Sequence, residues 1–201
     1  MRPETITNEN PLILASQSPR RKRLLQQLRI PFKAIPSHIP EEGMVGDPQG
    51  LAVQLASEKA LSIRDKAEAH WILGADTIVE INGDVLGKPK DEADAAAMLG
   101  RLSGQRHRVV TGFSLVNPMG ILAHSEVVVT EVQVKQLSPQ EIQAYIRTGE
   151  PFGKAGSYAI QGIGAFMVEA ISGSYTNVVG LPLCAVVKAL VSTGALKQFP
   201  L

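Results

Sequence analysis

Four helix-start signals constrain this chain more than any other feature of its sequence. Ser18-Pro19, Asp47-Pro48, Asp91 and Ser138-Pro139 each set a side-chain acceptor in front of a helix-compatible segment. Such residues satisfy a first-turn N–H, and proline at the first helical position gives up no hydrogen bond. Glu141, three residues after Ser138, completes a capping box. Between these starts lie short apolar or β-rich stretches: PLILA at 11–15, a stretch around Phe32 to Ile35, WILGADTIVEINGDVLGKP at 71–89, and Arg108–Val116 followed by Ile121–Val134. Asn82-Gly83 signals a tight hairpin, and NPMG a second turn. Further strands are expected near Tyr158 and Phe166, and a last helix from about Leu183. The second helix is expected to run over 51–67 with Leu51, Leu55 and Ala56 on its apolar stripe. Helices alternating with strands, without an internal repeat, predict an α/β fold built on a mixed sheet.

At 201 residues, with 44% hydrophobic and 19% charged residues, the chain is globular in composition. A net charge of +1 gives no general pull toward nucleic acid or membrane. The longest apolar tract, VVGLPLCAVV, is too short to span a bilayer, and the polar residues 1–10 read as a tail rather than a secretory leader. A cytoplasmic protein is expected. Cys184 is the sole cysteine, which excludes an internal disulfide and a cysteine zinc cluster; in its apolar helix, inert packing is the expectation. His38, His70, His107 and His124 lack metal-ligand spacing and read as surface or hydrogen-bonded core residues. GDVLGKP and GEPFGKA each fall one residue short of a phosphate-binding loop and lack its Ser/Thr.

What remains is a set of charges at element ends. Arg20 and Arg21 open a helix, where positive charge is unfavourable to the helix dipole unless an anion docks on the free N–H groups. Lys59 lies on the second helix, Lys88 between Gly87 and Pro89, and Lys154 after Gly153 at the mouth of a strand. Asp76 follows WILGA and is expected at that strand's C-terminal end, the usual place for functional residues in α/β sheets. Taken singly, each cation is more often a solvated surface charge.

The stretches LILASQSPRRKRLL, SEKA, GADTIV, GKP, LSGQRHRVVTG and GKAGSYAIQGIGAFMVEAISGSYTNVVGLPL, in that order from about Leu12 to Leu190, resemble the Maf family of nucleoside triphosphate pyrophosphatases. The resemblance implies one Maf-like domain over 1–201. Its fold would be a twisted mixed sheet with flanking helices, similar to the inosine triphosphate pyrophosphatases, with two lobes around a central cleft. It also implies release of pyrophosphate and a nucleoside monophosphate, with a divalent cation, Mg²⁺ or Mn²⁺.

Residue by residue, the resemblance makes Asp76 the proton acceptor for water; as a carboxylate, Asp76 equally suits a metal ligand, together with Glu41. Ser16, Arg21, Lys59, Lys88 and Lys154 would serve the phosphates. Arg20, Thr77 and Gln161 match the three positions that mark the branch hydrolysing dTTP and UTP. One departure lies in the loop after the second strand: where many relatives carry two adjacent acidic residues this chain reads Pro40-Glu41, followed by Glu42, and Glu41 matches the more regular of the pair. The expected partner is a small nucleoside triphosphate, with no nucleic acid or membrane, and the sequence leaves a homodimer open. Two rival readings stand beside this one: a nucleotide-sensing regulator of cell division without turnover, and a broad housecleaning pyrophosphatase for modified nucleotides.

Overall fold

The computed structural model describes residues 5–39 and 46–200. Along the chain the elements are β1 (Leu12–Leu14), α1 (Pro19–Leu28), β2 (Phe32–Ala34), α2 (Pro48–Leu61), β3 (Ile72–Ile81), β4 (Asp84–Leu86) and α3 (Glu92–Leu102). They continue with β5 (Arg106–Val116), β6 (Leu122–Val134), α4 (Pro139–Ile146), β7 (Val168–Ser172), α5 (Tyr175–Val179) and α6 (Leu183–Ser192). The strands form one mixed sheet in the order β2-β1-β3-β5-β6-β7, with β4 also on β3. β1 is parallel to both β2 and β3, while β4 is antiparallel to β3.

All four helix-start signals are caps. Ser18, Asp47, Asp91 and Ser138 accept from the backbone N–H of Arg21, Gly50, Asp94 and Glu141, and the reciprocal half of the capping box at Ser138 is present. Asn82 and Gly83 both take positive φ, as the two-residue hairpin between Ile81 and Asp84 requires.

Chain contacts divide the molecule into two units. The first is drawn from the described parts of Met1–Asp76, Thr111–Val128 and Gly180–Leu201. Its core includes Ile13, Ala15, Ala60, Ile63, Ile72 and Val116. α2 approaches the sheet closely there because small residues meet on both sides. A Cβ on Gly74 of β3 would lie 2.1 Å from the carbonyl oxygen of Ala56, and one on Gly112 of β5 would lie 2.3 Å from that of Ala52. Ala52, Ala56 and Ala60 recur every four residues along one face of α2, so this stripe rests on the two glycines.

The second unit comprises Thr77–Val110 and Val129–Val179. Val79, Ile81, Leu99, Val109, Val132 and Tyr145 are among its core residues.

Several sequence expectations are corrected. α2 stops at Leu61 rather than continuing to 67, because Ser62 Oγ takes the Lys59 carbonyl and Ile63 turns into the core. Leu51 is only half-buried, while Leu55 and Ala56 lie on the inner face as expected, together with Ala52, Lys59 and Ala60. There is no strand at Tyr158, where consecutive positive φ at Gly156 and Ser157 breaks extended structure. Phe166 lies in a 3-10 turn, and the strand begins only at Val168. Cys184 is exposed rather than packed, on the outer side of α6.

Candidate active site

β1 ends at Leu14, and the chain passes through Ala15 and Ser16 into α1. Ala15 still donates its N–H to the Leu73 carbonyl of β3 at 2.9 Å. The pairing of β1 with β3 covers only Ile72 and Leu73, so Asp76 lies three residues past the last β1 partner. This is the region beyond the carboxyl ends of parallel strands where α/β sheets place their chemistry. Asp76 is not at the end of its own strand, as the sequence suggested. β3 runs on to Ile81 because Ile78, Val79 and Ile81 are buried.

Asp76 is only 6% exposed and Lys59 only 5%. The Lys59 ammonium donates to Asp76 Oδ1 at 2.5 Å. Lys59 reaches this position because its neighbours Ala56 and Ala60 press α2 onto Gly74, two residues before Asp76 on the same face of β3. A buried charge is tolerated only when paired and hydrogen-bonded. Among the described residues, Asp76 Oδ2 accepts no protein hydrogen bond.

The strand-to-helix turn holds the second half of the first unit's constellation. Ser16, 7% exposed, accepts at Oγ from the Ser18 N–H (3.2 Å) and from Arg21 Nη1 (3.4 Å). Arg21 also donates through Nε to the Gly180 carbonyl at 2.8 Å. The basic pair at this helix start therefore divides. Arg21 turns inward and braces the turn, while Arg20 stays half-buried, with burial lowering its pKa. Arg21 is thus a structural strut as well as a candidate ligand for anions. Glu41 lies outside the described residues.

In the second unit, Thr77 shares the odd-numbered face of β3 with Val79. Val79 packs on the loop after Lys154, where a Cβ on Gly156 would lie 2.9 Å from its side chain. Gly156 donates its N–H to the Gly87 carbonyl at 3.0 Å, bringing the segment of Lys154 beside that of Lys88. Lys88 is exposed. The Lys154 ammonium donates to the carbonyls of Glu150 (2.5 Å) and Phe152 (3.4 Å). Lys154 precedes a 3-10 turn, not a strand. Gln161 is exposed on the turn that follows.

Sequence reasoning did not single out Glu80, which is 5% exposed. It pairs with the Arg108 guanidinium and accepts the Gly83 N–H at 2.7 Å, so it anchors the β3–β4 hairpin. Its lone charge inside the apolar run IVEI was the available signal. His107 is a hydrogen-bonded core histidine, as its scattered position suggested. It is 2% exposed, with Nε2 2.9 Å from the Tyr158 hydroxyl and Nδ1 buried without a hydrogen-bond partner among the described residues.

Carboxylate donors are sparse: among the described residues no group of three or more His, Cys, Asp or Glu converges on one point. A single buried carboxylate still suits Mg²⁺, which takes one or two protein carboxylates and completes its shell with water and substrate phosphate. No helix among the described residues is long and apolar enough to cross a membrane.

The chain is 48% identical over 195 residues to the dTTP/UTP pyrophosphatase of Syntrophotalea carbinolica, covering 96% of this chain and 89% of that protein. It is 50% identical over 188 residues to the proteins of the same name from Geobacter metallireducens and Geobacter sulfurreducens, covering 92% of this chain and 97% of each relative. Among solved structures, a nucleoside-triphosphatase / dITP/XTP pyrophosphatase from Mycobacterium abscessus aligns with 62% of this chain and 74% of its own, at 15% identity and a TM-score of 0.41. The Staphylococcus aureus Ham1 protein aligns at 14% identity and a TM-score of 0.39, over 62% of this chain and 72% of its own. Residues 11–193 match the model of the Maf-like proteins, and the chain belongs to that family.

Proposed function

We propose that this protein hydrolyses the α–β phosphoanhydride of dTTP and UTP, releasing pyrophosphate and the nucleoside monophosphate. The observation that carries this reading is the buried Asp76–Lys59 pair just past the end of β1, in the same unit as the Ser16–Arg21 turn. It stands in a chain about half identical to relatives named for that activity.

Phosphoryl chemistry asks a protein chiefly for positioning and charge neutralisation. Lys59 orients the Asp76 carboxylate, whose second oxygen is open to accept a proton from water or to hold a cation. Arg21, Lys88 and Lys154 supply positive charge for phosphate oxygens, with Ser16 as a hydroxyl donor. Asp76, with Glu41, would hold Mg²⁺ or Mn²⁺, which supplies further neutralisation of the phosphates when bound. Gln161 reads the base. Uracil and thymine present an N3–H donor flanked by carbonyls, and a primary amide offers the matching acceptor and donor. Arg20 and Thr77 complete the specificity set, Thr77 being small enough to leave room for thymine's methyl group. The setting is the cytoplasm and the substrate a free nucleotide.

The test is pyrophosphate release from dTTP, UTP, CTP, 7-methyl-GTP and 5-methyl-UTP by the wild-type protein and by Gln161→Glu. The reading expects dTTP and UTP to lead in the wild type and to fall selectively in the variant. Nucleotide binding without release would identify a regulator, and a preference for 7-methyl-GTP would refute the pyrimidine reading.

A further inference from the structure

Gln161 occupies the third position of a β-turn, Ala159 to Gly162, closed by the Gly162 N–H to the Ala159 carbonyl at 3.2 Å. Both feet of this turn stand on one pair of side chains. On the near side, the Ala159 N–H donates to the Tyr145 hydroxyl oxygen at 3.2 Å. On the far side, the N–H groups of Ile163 and Gly164 donate to Glu150 Oε1 and Oε2 at 3.0 and 2.8 Å. The Tyr145 hydroxyl donates to Glu150 Oε2 at 2.7 Å and closes the clamp.

Two glycines show how closely the backbone is drawn in. A Cβ on Gly162 would lie 1.9 Å from Glu150 Oε1, and one on Gly164 would lie 2.7 Å from the Tyr145 hydroxyl. Glu150 is itself fixed at its N–H, which donates to Thr148 Oγ1 at 3.1 Å, while that hydroxyl donates to the Tyr145 carbonyl at 2.6 Å. The Glu150 carbonyl in turn accepts from the Lys154 ammonium. Glu150 therefore touches both Lys154 and the far foot of the turn that carries Gln161.

Burial, and the hydrogen bond to Glu150, raise the pKa of the Tyr145 hydroxyl, so it remains a donor. Burial works against the charge on Glu150, yet its bonds to Gly164, Tyr145 and Ile163 outweigh that and leave its carboxyl below the usual range. An ionised carboxylate accepting three bonds is a stiff support, since such bonds are about twice as strong as neutral ones.

We infer that Glu150 and Tyr145 are positioning residues that fix the presentation of Gln161 and thereby set the discrimination between uracil or thymine and cytosine. This rests on the reading of Gln161 as the base-selecting residue. A primary amide discriminates only while its plane is held; once the turn rocks, the amide can present either edge, and cytosine is no longer excluded. Supporting residues of this kind act through geometry rather than contact with the substrate.

The experiment measures kcat and KM for UTP, dTTP and CTP in the wild type, Tyr145→Phe and Glu150→Gln, with amide hydrogen exchange across residues 159–164. Each variant is expected to lose about tenfold or more in kcat/KM for UTP, as small misplacements of positioned groups do. CTP should fall less, so that the UTP-to-CTP ratio narrows, and the Ile163 and Gly164 amides should exchange faster. Tyr145→Phe keeps the buried ring and removes only the hydroxyl, so it carries the test if Glu150→Gln does not fold. Parallel losses on all three nucleotides with an unchanged ratio would make the clamp merely structural and overturn the inference. A wild-type protein that shows no preference for UTP or dTTP over CTP would refute the role of Gln161 itself and the inference with it.

Discussion

Replacing Lys59 by methionine isolates the energetic core of the site. Methionine preserves most of the lysine stem, so packing against Ala56 and the sheet is largely kept and the change is one of charge. What is lost is the ammonium 2.5 Å from Asp76 Oδ1, in a pair whose members are 5% and 6% exposed. Removing one partner of a buried ion pair costs ~3–5 kcal/mol, because the other charge is left in a poorly solvating place. For a chain of this length each kcal/mol moves the melting temperature by ~2–4 °C, so a fall of roughly 6–20 °C is expected. Lys59 makes further contacts, whose loss is common to every background. The double variant Lys59→Met/Asp76→Asn therefore isolates the pair. It should be no less stable than Lys59→Met alone, with a coupling energy of at least ~1 kcal/mol. Thermal and urea unfolding in EDTA without nucleotide measure this. A shift below about 2 °C for Lys59→Met, or strict additivity in the cycle, would refute a buried, energetically coupled pair.

Two further outcomes are expected. Burial pulls the His107 pKa down to about 4, against the raising influence of Glu80. In the unfolded chain it titrates at ~6.5, so its contribution is fully present above that pH and is lost as pH falls through the folded value, ~3 kcal/mol in all. Urea unfolding from pH 7.5 to 4 should show this loss, and His107→Gln should flatten it; an equal slope in the variant would contradict it. Turnover should vanish in excess EDTA and return with Mg²⁺ or Mn²⁺, and full activity in EDTA would exclude a metal-assisted reaction.

The helix starts were legible because a cap is local: an Asp or Ser bonds an N–H three residues on, wherever the rest of the chain goes. The hairpin at Asn82-Gly83 was legible for the same reason. The segment from Gly156 to Phe166 was not. Its course depends on Glu150 and Tyr145 holding its backbone from outside, and on left-handed φ at Ser157, which a residue pattern does not reveal. The end of β3 was misplaced because Asp76 interrupts an apolar run without ending it, the carboxylate being neutralised by a lysine 17 positions earlier. Lysine, arginine and aspartate at the site were visible as types. That Lys59 is buried, and that Arg21 braces the Gly180 carbonyl instead of lying open to solvent, required the tertiary structure. Arg21→Ala is accordingly expected to cost stability as well as binding, where the sequence alone would assign it only to ligand contact.

The central claim is that Asp76 performs or directly supports the attack of water on the α-phosphorus. The most direct test is the rate of pyrophosphate release from saturating dTTP by Asp76→Asn, assayed at a temperature where circular dichroism shows the variant folded. Asparagine keeps the shape and an acceptor toward Lys59 but removes the basic, anionic oxygen. Loss of such a group costs ~10²–10⁴-fold in kcat, and a fall within or beyond that range is expected. A folded variant that retains more than about a tenth of the wild-type kcat would contradict it.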